Sequence, residues 1–118
     1  MSIKINNEVG EISIEYDVLA TIAAMAAMEC YGLVGMTYKS TRNGIAKILK
    51  GEHLSKGVEI RSAEEGVVVD LYVIIQYGTK ISVVAENIIE KVKYQVETQT
   101  GIKVNEVNLN IEGVRVQE

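Results

Sequence analysis

Proline, tryptophan and phenylalanine are absent from this sequence, and cysteine and histidine occur once each. With one Cys and one His there is no disulfide framework and no Cys/His zinc site. Only a single Cys30–His53 pairing remains for nucleophilic chemistry. Six tyrosines are the only aromatic residues, which leaves few ring faces for stacking nucleic-acid bases. Long apolar runs are missing too. The longest, Val18 to Met28, is interrupted by Thr21 and falls well short of the roughly 18 residues of a spanning helix. The N-terminus carries neither the basic region nor the apolar stretch of a signal peptide, and no lipidation box is present. A cytoplasmic protein with a reduced thiol is expected.

What is present suits one domain over residues 1–118. The chain is 47% hydrophobic and 24% charged, with a formal net charge of −4. A uniformly basic, phosphate-coating protein is therefore excluded. Valine and isoleucine supply 16 and 15 residues, so the core should be aliphatic and rich in sheet.

Periodicity predicts the elements in order. Ile12 and Ile14 alternate as a short strand after Gly10. Asp17 stands at the N-cap or first turn of a helix whose apolar face is Leu19, Ile22, Ala23, Ala26 and Cys30, with Gly32 ending it. Leu33 to Tyr38 reads as a strand, Asn43-Gly44 as a turn, and residues 45–50 as a short helix stopped by Gly51. Val58 and Ile60 alternate as a strand, Glu64-Glu65-Gly66 makes a hairpin turn, and Val67 to Tyr77 forms a long strand that is apolar on both faces. Thr79 is placed to cap a long helix with Ile81, Val84, Ala85, Ile88, Val92 and Val96 inward, ending at Gly101. In the last strand the apolar parity changes between Val104 and Val107, which predicts a bulge near Asn105. The order β-α-β-α-β-β-α-β predicts an α+β two-layer sandwich: a mixed sheet with the two main helices on one face and a short third helix.

Candidate chemistry is sparse. Cys30 falls on an apolar helix face, where it reads as a small buried hydrophobe, and His53 lies in a charged, solvated stretch. Asp70 sits mid-strand among apolar neighbours, and a general-base role there lacks a nameable partner. A small-ligand or catalytic site would need these three side chains in one cleft. Gly32-Leu-Val-Gly35 matches a Gly-x-x-Gly nucleic-acid clamp in form only, because its middle residues are apolar and a strand follows. No motif supports an enzyme, and neither a metal nor another cofactor is expected.

Charge patterning stands out more. Residues 39–56 carry Lys39, Arg42, Lys47, Lys50 and Lys56 against Glu52 alone. An otherwise acidic chain thus has one basic segment, the candidate interaction surface. It reads as a solvated loop and helix, as a surface for docking a protein or a second copy, or as a weak contact with anionic lipid. The alternative function is a nucleic-acid module built from Gly32–Gly35 and this segment.

Ordered segments along nearly the whole chain also resemble a known family. Gly10-Glu-Ile-Ser-Ile, Ile22-Ala-Ala, Glu29-Cys-Tyr-Gly-Leu-Val-Gly-Met36, Lys56-Gly-Val-Glu-Ile60 and Val69-Asp-Leu-Tyr-Val73 come first. Tyr77-Gly-Thr-Lys-Ile-Ser82, Thr100-Gly-Ile-Lys-Val104, Val107-Asn and Gly113-Val-Arg-Val116 follow. They are similar to the alkaline-shock, or general-stress, family of envelope stress response proteins of Gram-positive bacteria, in its short, YloU-like form. The resemblance implies a non-enzymatic cytoplasmic protein of cell-envelope homeostasis. It also implies self-association and a position near the membrane held through a membrane-anchored protein partner. The family has no recognised catalytic residue to carry over.

Overall fold

The computed structural model of the chain describes residues 2–6, 9–38 and 48–116. Two strands come first, β1 (Ser2–Asn6) and β2 (Glu11–Glu15), paired antiparallel with Ile3 opposite Ile14 and Ile5 opposite Ile12. The alternation of Ile12 and Ile14 predicts only the second of them. Ile3 and Ile5 alternate with Ser2 and Lys4 in the same way, so the hairpin brings Ile3, Ile5 and Ile14 onto one side. Among the described residues this pair forms its own two-stranded sheet, with Ile3, Ile5 and Ile14 half-buried at the margin of the core.

Helix α1 (Tyr16–Met28) follows without a linker, with Asp17 in its first turn, where a carboxylate opposes the helix dipole favourably. Its inward side is small: Leu19, Ala20, Ala23, Ala24, Ala26 and Ala27 are buried. The helix stops at Met28 with Glu29 as its cap, so Gly32 closes the turn after the helix rather than the helix itself.

The main sheet is built around β5 (Val67–Gln76). Strand β6 (Val104–Arg115) pairs parallel with β5 from Val67 to Gln76 and fills one edge completely. Strands β3 (Leu33–Met36) and β4 (Val58–Ser62) must therefore share the other edge, both antiparallel. β3 lies opposite Val73 to Ile75, and β4 lies opposite Val67 to Leu71. They abut end to end. A Cβ on Gly57 would stand 2.8 Å from the Thr37 carbonyl oxygen and 3.0 Å from the Met36 Cβ, so the chain can return to the sheet there only without a side chain.

Between β3 and β4 the chain makes an excursion. The predicted turn at Asn43-Gly44 and the first part of the predicted helix over 45–50 lie outside the described residues. The described part contradicts the helix. The Leu49 N–H donates to the Met36 carbonyl at 2.8 Å as an isolated antiparallel bridge, and Lys50 is extended with φ −131°. Pairing with the exposed edge of β3, which buries Leu49 in the core, outweighs local helix propensity. The short third helix comes later, as a 3₁₀ helix over Gly51–Gly57.

After β5, the Thr79 hydroxyl donates to the Gln76 carbonyl at 2.7 Å and closes the turn instead of capping the helix. Helix α2 (Ile81–Thr100) begins with Lys80 as its cap. Val84, Ile88, Val92 and Val96, four apart, form its buried stripe. Gly101 ends it in the left-handed region at φ 76°, and its N–H donates to the Glu97 carbonyl at 2.9 Å. The Glu97 carboxylate accepts the Val104 N–H at 2.9 Å, tying the helix end to the start of β6.

The result is the expected α+β sandwich. Both helices pack on each other over the sheet face carrying Val67, Val69, Leu71, Val73 and Ile75. The predicted bulge is present: Val104 opposes Val67 and Glu106 opposes Val68, which leaves Asn105 out of register. A second shift leaves out Glu112, between Ile111 opposite Val73 and Gly113 opposite Ile74. Together the two bulges put Val104, Val107, Leu109, Ile111 and Val114 all on the helix side.

Candidate docking groove and the open sheet face

The sheet face away from the helices carries a polar network. Asp70, almost fully buried on β5, accepts from Arg61 Nε of β4 at 2.8 Å and from Asn108 Nδ2 of β6 at 2.8 Å. Next to it the Tyr72 hydroxyl donates to Glu59 Oε2 at 3.1 Å, and Asn110 Nδ2 donates to the Leu71 carbonyl at 3.3 Å. These side chains line a cavity of about 570 Å³. Three strands contribute because Glu59, Asp70 and Asn108 occupy one rung, set by Glu59 opposite Asp70 and Asp70 opposite Asn108.

Burial, with the Glu59 hydrogen bond and the charges of Glu59, Asp70 and Glu112 behind it, pushes the Tyr72 phenol up to about 12. An unfolded tyrosine loses its proton near pH 10, so between pH 10 and 12 the unfolded chain holds fewer protons than the folded one. Stability supplied by Tyr72 is complete below pH 10 and is lost as the pH rises through 12. The phenol faces the open side of the sheet, where solvent screening makes the decline smaller than the full shift would give. Denaturant unfolding across this range should show that decline, and Tyr72→Phe should flatten it relative to the wild type.

The carboxylate of Asp70 is thus committed to a buried network, and neither Cys30 nor His53 lines its cavity. Cys30 lies in the helix layer, its Sγ 3.7 Å from the Ala26 carbonyl oxygen and 3.9 Å from that of Asn87. Burial raises its thiol above the ordinary range, the Lys91 charge partly opposing and Glu29 adding to the rise. His53 is exposed on the 3₁₀ helix. Among the described residues, no three His, Cys, Asp or Glu side chains are grouped to hold a metal ion. The Gly-x-x-Gly segment is no open loop either: Gly32 and Gly35 are both buried, and residues 33–36 are strand β3.

The basic segment is only partly in view. Lys39, Arg42 and Lys47 lie outside the described residues. Lys50 and Lys56 are exposed at the two ends of the 3₁₀ helix, five residues of which separate them. That helix lies against α1. Thr21, Ala24 and Met25 of α1 and Gly51, Leu54 and Ser55 of the 3₁₀ helix line an apolar groove of about 400 Å³ between them. Met25 is 61% exposed, and Val18 and Met28 continue an uncovered apolar stripe along α1. Sequence periodicity assigned α1 one apolar face and missed this second one, although Val18, Met25 and Met28 follow helical spacing.

Comparison with known proteins gives this arrangement its context. Residues 4–116 match the alkaline shock protein 23 family, described as having a cell envelope-related function. The chain belongs to that family. YloU of Bacillus subtilis (strain 168) is 44% identical over 117 residues, covering 98% of each chain. Spy1614 of Streptococcus pyogenes serotype M6 is 38% identical over 117 residues, covering 98% of this chain and 97% of that protein. A stress response regulator gls24 homolog of Streptococcus pyogenes serotype M3 is 24% identical over 109 residues, which are 92% of this chain and 61% of that protein. Among the described residues, no helix is long and apolar enough to cross a membrane.

Proposed function

We propose that this family member is a non-catalytic protein of cell-envelope homeostasis and stress response. It works in the cytoplasm close to the membrane, by self-association and by docking to an envelope-proximal, membrane-anchored protein. The apolar groove between α1 and the 3₁₀ helix, a helix that bears the exposed Lys50 and Lys56 at its two ends, carries this reading. The groove is apolar and the 3₁₀ helix forming one wall ends in exposed lysines, so this side of the molecule suits an acidic amphipathic segment of the partner. Family membership supplies the envelope context.

Affinity capture of the full chain from crosslinked cells tests it. The double variant Lys50→Glu and Lys56→Glu should recover about tenfold less of the envelope-proximal protein at low ionic strength. The loss should shrink at high salt, where exposed charges are screened within roughly a Debye length. Met25→Asp should reduce recovery at every salt concentration, because its contribution is apolar. Equal recovery by wild type and both variants would remove the groove from the argument.

A further inference from the structure

Strand β6 is the longest strand, at 12 residues, and among the described residues only β5 pairs with it. Among the described residues its outer edge is therefore a row of backbone donors and acceptors that no strand pairs, a template for another strand. The Tyr77 N–H donates to the Arg115 carbonyl at 2.7 Å, so Arg115 turns its backbone groups toward β5. Backbone direction and side-chain face alternate together along a strand, so the helix-side residues, including Leu109, Ile111 and Val114, turn theirs outward. The same residues leave apolar surface uncovered: Ile111 is 37% and Val114 46% exposed.

We infer that β6 joins two copies of this chain edge to edge, antiparallel about a two-fold axis at Asn110. The inference rests on the self-association reading above and names the surface for it. The β5 register measures positions along β6 with both bulges taken out. On that scale a two-fold axis at Asn110 places Leu109 opposite Ile111 and Val107 opposite Val114, all on the helix side. On the open side it places Glu106, level with Val68, opposite Arg115, level with Gln76. Every pair matches in face: the helix-side pairs are apolar, and on the open side Asn110 meets its own copy, Asn108 meets Gly113, and the outer pair is of opposite charge. Like faces opposite like faces are what a strand pair requires.

The geometry also closes. A two-fold axis perpendicular to the sheet keeps both helix layers on one side, so sheet and helices run on across the junction. The nine paired positions from Glu106 to Arg115, without the bulged Glu112, span about 30 Å, and a sheet plus a helix layer is roughly 20 Å deep, giving about 600 Å² per copy, the lower end of specific interfaces.

Sedimentation velocity of the full chain, from micromolar to millimolar concentration, tests this. The wild type should sediment as a concentration-dependent dimer. Arg115→Glu sets like charges opposite at both ends of the interface and should raise the dissociation constant about tenfold, as should Glu106→Arg. The double variant Glu106→Arg with Arg115→Glu restores both pairs and should recover the wild-type constant. Amides of Leu109, Ile111 and Val114 should gain protection from hydrogen exchange as concentration rises. Association that ignores all three variants would overturn the β6 interface while leaving self-association standing. A wild type that stays monomeric throughout would overturn both. Far-UV circular dichroism of each variant shows whether the fold is intact, and the exchange data on the wild type decide the matter if it is not.

Discussion

Leu71→Ala is expected to lower the unfolding free energy by about 3 to 4 kcal/mol. Leu71 lies midway along β5, opposite Val58 of β4 and Leu109 of β6, and is fully buried under the helix layer. Its removal deletes three carbons from contact with both neighbouring strands at once. The backbone cannot collapse into the space, because β5 is held on both edges over its whole length. For a domain of this size the loss should appear as a fall of more than ten degrees in melting temperature, roughly 4 °C for each kcal/mol. The dependence of free energy on urea should keep its slope, since the surface exposed on unfolding barely changes. A drop below about 1 kcal/mol would mean that the two layers close on the cavity, and that the sheet is less rigid than its pairing implies.

The same residue shows why much of this fold is legible in the sequence. β5 is apolar at nearly every position, which marks a central strand covered on both faces. The hairpin turn at Glu64 to Gly66 and the glycine after α2 are local signals, read in chain order. The bulge at Asn105 was visible as a change of parity between Val104 and Val107. What a single chain cannot display is which strand lies beside which. Glu59, Arg61, Asp70 and Asn108 meet on the open face only because β4 and β6 flank β5, and they looked unrelated beforehand. The short helix misplaced at 45–50 has the same origin: Leu49 is extended because Met36 offers a bridge 13 residues upstream. The groove beside Met25 likewise needs α1 and the 3₁₀ helix in contact, whereas the excess of basic residues over 39–56 needed only a count.

Gly32→Ala should cost about 2 to 5 kcal/mol, and the reason bears on function as well as folding. Two separate penalties meet at this position. Its φ of +91° lies in a region that a residue with a Cβ enters at a cost of about 1 to 2 kcal/mol. A Cβ there would also come 2.6 Å from Val84 Cγ2, on the buried stripe of α2, and overpacking of that kind costs about 1 to 3 kcal/mol. A double-mutant cycle with Val84→Ala separates them. If the clash contributes, the double variant should lose at least about 1 kcal/mol less than the sum of the singles. Strict additivity would leave the backbone conformation as the whole cause. In either case Gly32 is accounted for by the close approach of α2 to the turn before β3, with no ligand required. A Gly-x-x-Gly clamp would instead need this segment open to a phosphate backbone, and titration with single-stranded RNA at low salt, where such binding is strongest, should give no signal. Binding with a steep salt dependence, abolished by Gly32→Ala at temperatures where the variant is still folded, would reverse that conclusion and move the functional surface from the α1 groove to the turn.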